Sequence, residues 1–201
     1  MCGIIGAVIK NNDTMSLTLL SRLFQQSRIR GMQSYGWATS REMKPRIGSL
    51  REAHCAILKL QSGTNFIGHC RYSTSGETPQ PLYLKRYPEI VMAFNGNISM
   101  KTKPEIEAAY KIKMETDNDG EVFIHYIISG GYSLLIQDPF VSFAGVWLQN
   151  NHLWVLRNER RPGWSCTFNG NFFIASTKDI FLRAGFQNPI EIKAYECNSV
   201  S

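Results

Sequence analysis

The feature of this sequence that most restricts its fold is a series of short apolar runs, rich in β-branched residues and separated by polar turns. Runs of this length bounded by turn residues are typical of strands buried in a sheet. About eight strands are predicted in this way. The clearest runs occupy residues 3–9, 55–60, 66–73, 90–94, 143–148, 153–156 and 172–175. Polar residues 149–152 lie between two of the runs and predict a hairpin.

Helical patterns are confined to a few segments. The predicted helices are one capped by Asp13 or Thr14 and ended by Gly31, one over residues 121–128, and one capped by Ser176 or Thr177 and ended by Gly185. Because these helices do not alternate regularly with the strands, the pattern argues against a doubly wound parallel sheet. It predicts an α+β fold with antiparallel sheets.

The composition is that of one globular domain spanning residues 1–201. Apolar residues make up 43% and charged residues 19% of the chain, which excludes a disordered protein. No run approaches the roughly 18–20 apolar residues of a membrane helix, and the apolar start lacks the basic run of a secretory signal. We therefore expect no membrane association and a reducing, cytoplasmic compartment.

Cofactor, metal and nucleic-acid functions have little support in the sequence. The five cysteines have no C-x-x-C spacing, the four histidines are dispersed, and no Gly-rich phosphate loop occurs, so we expect no metal and no cofactor. The net charge of +6 permits an anionic partner, but the basic residues are scattered and form no recognised nucleic-acid-binding motif.

Cys2 stands directly after the initiator methionine. If Met1 is removed, which a small second residue permits, Cys2 carries both a thiol and a free α-amine. An α-amine has a pKa of about 7.7–8.0 and a free thiol one of about 8.5, so the amine can accept the thiol proton. One residue then supplies nucleophile and base. The alternative is a small buried thiol at the start of a strand.

Three further features fit the same chemistry. Arg71 ends the run 66–73, and its planar fork matches a carboxylate, although it could equally close a strand at the surface. Asn95 and Gly96 form either a tight turn or two converging donors for an oxyanion. The acidic run 117–121 either caps a helix or holds an ammonium group. Together they suit hydrolysis of the side-chain amide of a free amino acid, because reading both charges at the α-carbon rejects peptides.

These motifs resemble, in the same order over most of the chain, the glutaminase domain of class II glutamine amidotransferases, which are N-terminal-nucleophile hydrolases. The matching residues are Met1-Cys2-Gly3-Ile4-Ile5-Gly6, Arg30-Gly31 with Ser34 and Gly36, Gly68-His69 with Arg71-Tyr72-Ser73-Thr74, Asn95-Gly96-Asn97, and Asp119 with Glu121-Val122. A weaker similarity covers residues 153–162 and Ala175-Ser176. The resemblance implies a four-layer αββα sandwich of two antiparallel sheets.

The resemblance also implies roles for individual residues. They are Cys2 as a nucleophile that forms a thioester, Asn95 and Gly96 as the oxyanion hole, Arg71, Ser73 and Thr74 as substrate-binding residues, and Asp119, or alternatively Asp117, as the ligand of the α-ammonium group. Arg30 matches a position beside the nucleophile. The chain departs from the family pattern at Phe94, where many members have His, at Cys70, and in the inserted-looking stretch 130–143.

The implied reaction is hydrolysis of free L-glutamine to glutamate and ammonia. No acceptor domain is recognisable, so a separate synthetase or transferase subunit is the expected partner. Two alternatives stay open. One is a hydrolase of the same fold that acts on another amide, such as a γ-glutamyl compound. The other is a non-catalytic scaffold, which an intact Met1 would favour because the amine base would then be blocked.

Overall fold

The computed structural model describes residues 1–72 and 76–201, so Ser73 and Thr74, predicted to bind substrate, lie outside the described residues. The strands are β1 (Gly3–Ile9), β2 (Ser34–Thr39), β3 (Arg46–Gly48), β4 (Thr64–Arg71), β5 (Leu82–Tyr83), β6 (Val91–Asn97), β7 (Ser142–Gln149), β8 (His152–Arg157), β9 (Trp164–Phe168), β10 (Asn171–Ala175), β11 (Ile190–Glu191) and β12 (Asn198–Val200). The helices are α1 (Thr14–Ser27), α2 (Leu50–Ile57), α3 (Lys103–Tyr110), α4 (Glu121–Ser129), α5 (Tyr132–Gln137) and α6 (Lys178–Ala184), with a 3-10 turn at Arg28–Arg30.

Two antiparallel sheets form the centre of the molecule. The seven-stranded sheet has the order β11-β9-β10-β1-β4-β2-β3, and the five-stranded sheet has the order β12-β8-β7-β6-β5. Apolar side chains fill the space between them. Helices α1, α2 and α6 cover the outer face of the seven-stranded sheet, and α3, α4 and α5 cover that of the five-stranded sheet. This arrangement confirms the predicted α+β fold with four αββα layers.

Strand β1 shows how the sequence builds these layers. All seven of its residues are buried. Ile5, Ala7 and Ile9 face the helices, whereas Ile4 and Val8 face the other sheet, as the two-residue period of a strand requires. A strand buried on both faces needs a continuous apolar run rather than an alternating one. The run 3–9 was therefore a reliable signal, and it brings the start of the chain to the centre of the sheet.

The predicted Asp13 cap, the Gly185 stop and the hairpin are present, whereas Gly31 ends the 3-10 turn rather than α1, and Thr177 makes no side-chain capping hydrogen bond. Asp13 caps α1, because its Oδ1 accepts from Ser16 N at 2.9 Å. Gly185 ends α6 in the left-handed conformation, with φ of 101°. The hairpin turn between β7 and β8 holds Asn150 and Asn151, both at positive φ, which suits a tight two-residue turn.

The predicted strand over residues 55–60 is wrong. Residues 55–57 belong to helix α2 and residues 58–60 to the turn after it. The helix begins with a full capping box: Ser49 accepts from Glu52 N, and Glu52 accepts from Ser49 N. Its buried residues, Ala53 and Ile57, are four positions apart on one helical face, and residue 60 is the next buried position, so burial here has a helical period and not that of a strand.

Several short elements escaped prediction. The described residues contain twelve strands rather than about eight. Strands β3, β5, β11 and β12 span only two or three residues each and carry little periodicity, and the longer strands β2 and β9 were missed as well. Helices α3 and α5 were also missed. Within the described parts of the chain, no helix is long and apolar enough to cross a membrane.

Replacing Phe123, whose ring lies against those of Tyr132, Phe143 and Trp147, will test the packing of the helices on the five-stranded sheet. Phe123 in α4 is fully buried, with its ring centroid 3.9 Å from that of Phe143. We expect Phe123→Ala to lower the free energy of unfolding by about 3–5 kcal/mol in urea titrations. Phe140→Ala is the matched control, because Phe140 is 87% exposed. Equal losses for the two variants would contradict this packing.

Candidate active site

Strand pairing places Cys2 beside the end of β4. Gly3 pairs with Cys70, so the preceding residue lies next to Arg71 and Tyr72. The thiol is 3.4 Å from both the backbone nitrogen and the carbonyl oxygen of Tyr72, accepting from the first and donating to the second. On the other side, Arg30 Nε donates to the Cys2 carbonyl oxygen at 2.9 Å. The start of β1 is thus held between the seven-stranded sheet and the 3-10 turn.

Asn95 reaches the same point from the five-stranded sheet. Its Oδ1 accepts from Cys2 N at 3.1 Å. The side chain is buried, and its Nδ2 has no hydrogen-bond partner within residues 1–72 and 76–201. Leaving a buried donor unpaired costs about 1–3 kcal/mol, so such a group requires an explanation. An acceptor supplied by a ligand next to the Cys2 thiol would satisfy it.

Gly96 follows Asn95 where β6 passes very close to β7. A Cβ atom at this position would overlap the backbone carbonyl of Ser142. Only glycine permits this approach, which sets the direction of the Asn95–Gly96 peptide. The backbone of Gly96 therefore lies beside Asn95 at a position fixed by the sheet.

Two side chains fix the strand immediately before Asn95. His69 Nε2 donates to Phe94 O at 3.2 Å, and Gln80 Oε1 accepts from Phe94 N at 2.8 Å. Burial lowers the pKa of His69 to about 3, so the imidazole is neutral at physiological pH and donates through Nε2. His69 lies in β4, so this hydrogen bond connects the two sheets directly beneath the candidate site.

Phe94 accounts for one departure from the family pattern. Its ring lies against Gly120, where a Cβ atom would overlap the ring, and it stacks near Phe143 with centroids 5.9 Å apart. An apolar residue is accommodated here because the neighbouring turn carries glycine. The substitution changes the packing behind the site and leaves Asn95 in place.

Arg71 is almost wholly buried at the end of β4. Its Nη2 donates to Gly76 O at 2.5 Å and its Nη1 to Glu77 O at 3.4 Å. The guanidinium therefore lies beside the segment that follows residues 73–75. Gly31 is required on its other side, because a Cβ atom there would overlap the Arg71 backbone. Arg71 directly precedes Tyr72, whose backbone contacts the Cys2 thiol, so these contacts keep the guanidinium close enough to influence the thiol.

The structure separates the two candidate aspartates. Asp117 accepts from Glu77 N at 2.6 Å and from both the backbone nitrogen and the hydroxyl of Thr78. These hydrogen bonds outweigh the effect of partial burial and lower the pKa of Asp117 to about 2. Both of its oxygens therefore hold the segment next to Arg71. Asp117 acts as a structural brace.

Asp119 lies at the other side of the site. It is buried, and its Oδ2 accepts from Ile98 N at 2.6 Å and from Ser99 N at 3.0 Å. It thereby fixes the chain just after the end of strand β6, so the Asn-Gly pair predicted as a possible tight turn is part of a strand. Of the two aspartates, Asp119 is the one joined to the end of the strand that carries the candidate oxyanion donors.

The surroundings of the thiol determine its protonation. Burial raises the pKa of the Cys2 thiol above its ordinary value, although the Tyr72 hydrogen bond, the N-terminal charge, Arg71 and Arg30 oppose that rise. The thiol is therefore protonated at neutral pH. A thiol in this state needs a base before it can attack a carbonyl group.

Sequence reasoning missed two residues at this site. Gln80 is buried and holds Phe94, but a lone glutamine in a loop gives no signal of such a role. Arg161 stood among scattered basic residues, yet its Nη1 lies 3.4 Å from Met1 Sδ. Both act through contacts with residues distant in sequence, which periodicity and motif spacing do not reveal.

Adding one methyl group at Gly96 will test the close approach of β6 and β7. We expect Gly96→Ala to lower the free energy of unfolding by about 1–3 kcal/mol, because the new methyl group meets a backbone carbonyl that cannot rotate away. Gly163→Ala is the control, since its Cβ would meet Arg157 Cδ at an ordinary 3.4 Å. Urea unfolding of both variants is the measurement. A Gly96→Ala protein as stable as the control would contradict the geometry.

Comparison with known proteins tests the fold independently. No family model and no curated protein matches the sequence. Among solved structures, the chain matches a glutamine phosphoribosylpyrophosphate amidotransferase from B. subtilis, complexed with ADP and GMP, with a TM-score of 0.72 and 19% identity over 99% of this chain and 49% of that one. It matches a structure described as the allosteric regulatory enzyme of purine biosynthesis with a TM-score of 0.70 and 19% identity over 99% of this chain and 48% of the other.

A third match, a glutamine aminotransferase class-II domain protein from Silicibacter pomeroyi, has a TM-score of 0.52 and 8% identity over 100% of this chain and 98% of that one. The chain spans about half the length of the first two structures. At these identities the matches establish the fold. The chain shares its α+β fold of two stacked antiparallel sheets with these structures, in agreement with the fold that the resemblance of its motifs implies.

Proposed function

We propose that this chain hydrolyses the side-chain amide of free L-glutamine, with Cys2 as nucleophile after removal of Met1. The observation that carries the proposal is the contact between Cys2 and Asn95. Asn95 Oδ1 holds the Cys2 nitrogen at 3.1 Å, and the same amide leaves its buried Nδ2 without a partner among the described residues. One side chain therefore orients the amine and offers a donor beside the thiol.

The proposed reaction begins with transfer of the thiol proton to the α-amine of Cys2. The thiolate attacks the δ-carbonyl carbon, and the C=O π electrons move to oxygen, where Asn95 Nδ2 and the Gly96 N–H stabilise the oxyanion. When the carbonyl re-forms, the C–N bond breaks, and the leaving nitrogen takes the proton from the amine to depart as ammonia. Water then attacks the γ-glutamyl thioester, which releases glutamate and restores the thiol.

The amine is the base that this site requires. Because burial raises the pKa of the Cys2 thiol, a spontaneous thiolate is disfavoured. The nearest imidazole, His69, donates to Phe94 O and keeps a low pKa, so it is unsuited to accept the proton. The Cys2 nitrogen is already placed by Asn95, and freeing it turns an amide into a basic amine.

Recognition of glutamine is assigned to groups on either side of the thiol. Arg71 would bind the α-carboxylate, together with Ser73 and Thr74 of the segment outside the described residues. Asp119 would hold the α-ammonium. Engagement of both Asp117 oxygens by residues 77 and 78 supports this choice between the aspartates. A site that reads both charges favours free glutamine over glutamine within a peptide.

Substitution of Cys2 and Asn95 tests the activity directly. We expect Cys2→Ala to abolish release of ammonia from glutamine, and Asn95→Ala to lower kcat by about 10²–10³. Cys55→Ala is the control, because Cys55 is an exposed free cysteine and should retain the parent rate. Intact mass should show loss of Met1 and one adduct with a glutamine-mimicking electrophile, absent from Cys2→Ala. Parent activity in Cys2→Ala would overturn the proposal.

Two results would redirect the assignment. Faster cleavage of a γ-glutamyl peptide than of glutamine would indicate a hydrolase of another amide. Retention of Met1 in the protein from its natural source would indicate a scaffold, because the amide nitrogen could not serve as base.

We also propose that the ammonia passes to a separate synthetase or transferase subunit. Three exposed apolar side chains belong to segments that contact Cys2 or Arg71: Ile29, 63% exposed, precedes Arg30, Met32, 72% exposed, follows Gly31, and Tyr72 is 53% exposed. Apolar groups grouped beside a reactive centre suit a surface that a partner covers, which would also keep ammonia from solvent.

Size-exclusion of native extract tests this partner. We expect the protein to elute well above 22.8 kDa. The double variant Ile29→Asp with Met32→Asp should elute as the free chain, because two buried charges would oppose docking. Leu134→Asp is the control at an equally exposed apolar position, 73% exposed, in helix α5. Elution of the parent protein at 22.8 kDa would contradict a stable partner.

A further inference from the structure

Two guanidinium groups converge on the side chain of Met1. Arg30 Nη2 and Arg161 Nη1 each lie 3.4 Å from Met1 Sδ. The two arginines come from distant parts of the chain: the 3-10 turn after α1 and the turn after β8. Two positive groups no more than about 7 Å apart repel each other unless an anion lies between them. A thioether has no charge with which to reduce that repulsion.

Both arginines are held in place. Arg30 Nε donates to the carbonyl oxygen of Cys2, and burial together with the charge of Arg161 lowers the pKa of Arg30. The turn that carries Arg161 is fixed because Arg157 Nη1 donates to Arg161 O at 3.2 Å. The Arg30 guanidinium and the backbone that carries Arg161 are therefore both fixed by hydrogen bonds, and the Met1 contact does not offset the repulsion between the two charges.

Neither arginine has an acidic partner where the structure is described. The ion pairs among residues 1–72 and 76–201 do not include Arg30 or Arg161. Arg161 Nε is buried and has no hydrogen-bond partner among these residues. Paired, donor-rich guanidinium groups without a carboxylate form the usual arrangement for binding a carboxylate or phosphate.

We propose that Arg30 and Arg161 form an anion site, the two-arginine site, which the Met1 side chain closes and which removal of Met1 opens. The proposal rests on the removal of Met1 that the proposed function requires. Its ligand is a small anion that carries a carboxylate or phosphate group. Once Met1 has left, the two guanidinium groups border the space beside the α-amine of Cys2.

The position of this site separates it from the binding of glutamine. Arg71, assigned to the glutamine carboxylate, directs its donors toward Gly76 O and Glu77 O, whereas Arg30 and Arg161 direct theirs toward Cys2 O and Met1 Sδ. The two-arginine site lies on the side of Arg30 and the Cys2 carbonyl. An anion anchored there would lie next to the α-amine of Cys2. Processing of Met1 would then create the nucleophile and the second binding site in one step.

Binding of inorganic phosphate tests the site without use of any catalytic activity. Cys2→Ala keeps a small second residue and loses Met1, whereas Cys2→Leu has a large second residue and retains it, as intact mass will verify. Calorimetric titration with phosphate is carried out with saturating glutamine, so that Arg71 does not contribute. We expect phosphate to bind Cys2→Ala and to bind Cys2→Leu about tenfold or more weakly.

Substitutions in the Cys2→Ala background locate the binding. Adding Arg161→Gln should weaken phosphate binding about tenfold, and Arg161→Lys should restore part of it by restoring the charge. Arg160→Gln is the matched control at the adjacent exposed arginine and should change the affinity by less than about twofold. Acetate in place of phosphate reports whether the site prefers a carboxylate. Thermal unfolding confirms that each variant is folded.

Three results would overturn the proposal: no phosphate binding by Cys2→Ala, equal binding by Cys2→Leu, or equal binding after Arg161→Gln. Failure of the glutaminase assignment is distinguishable from these. A protein that releases no ammonia from glutamine but binds phosphate only after Met1 is lost keeps the two-arginine site and loses the proposed activity. A protein that releases ammonia from glutamine but does not bind phosphate would disprove the two-arginine site and support the proposed activity.

Discussion

The hydrogen bond from Cys2 N to Asn95 Oδ1 joins the two sheets at the point on which the rest of the candidate site depends. Cys2 precedes the central strand of one sheet, and Asn95 belongs to β6 of the other. A few ångströms of sliding between the sheets would break this contact. The buried apolar layer between them resists such sliding, because close-packed side chains lose dispersion contacts when they move apart.

A second hydrogen bond between the sheets lies beneath the first. His69 in β4 donates to Phe94 O in β6 and remains neutral because burial disfavours its charged form. A buried imidazole that donates to one backbone carbonyl fixes the position of β6 relative to β4. The packing of Phe94 against Gly120 shows that the next layer also fits this arrangement. The candidate oxyanion donors thus rest on a rigid base.

The acidic segment 117–121 braces three neighbouring parts of the site. Asp117 accepts from residues 77 and 78, and Asp119 accepts from residues 98 and 99. Glu121, fully buried, accepts from the backbone nitrogens of residues 115 and 116. Ionised carboxylates that accept pairs of backbone N–H groups form strong, directional contacts. Around the thiol the charge is reversed, since Arg30, Arg71 and Arg161 all approach it or Met1. Carboxylates thus brace the framework, and guanidinium groups surround the start of the chain.

Periodicity in the sequence predicted an α+β fold with antiparallel sheets, and the resemblance of its motifs implied the four layers and named most of the residues of the candidate site. Buried strands such as 3–9, the Asp13 cap and the Gly185 stop depend on local periodicity and backbone preference, which act over a few residues. The order of the motifs along the chain could also be read without the structure. Tertiary structure decided the remainder. Residues 55–57 became helical because the capping box at Ser49 and one buried helical face outweighed an apparent alternation. The separate duties of Asp117 and Asp119, and the approach of Arg161 to Met1, arise from contacts across 20 to 160 residues, and only the packed chain brings such groups together.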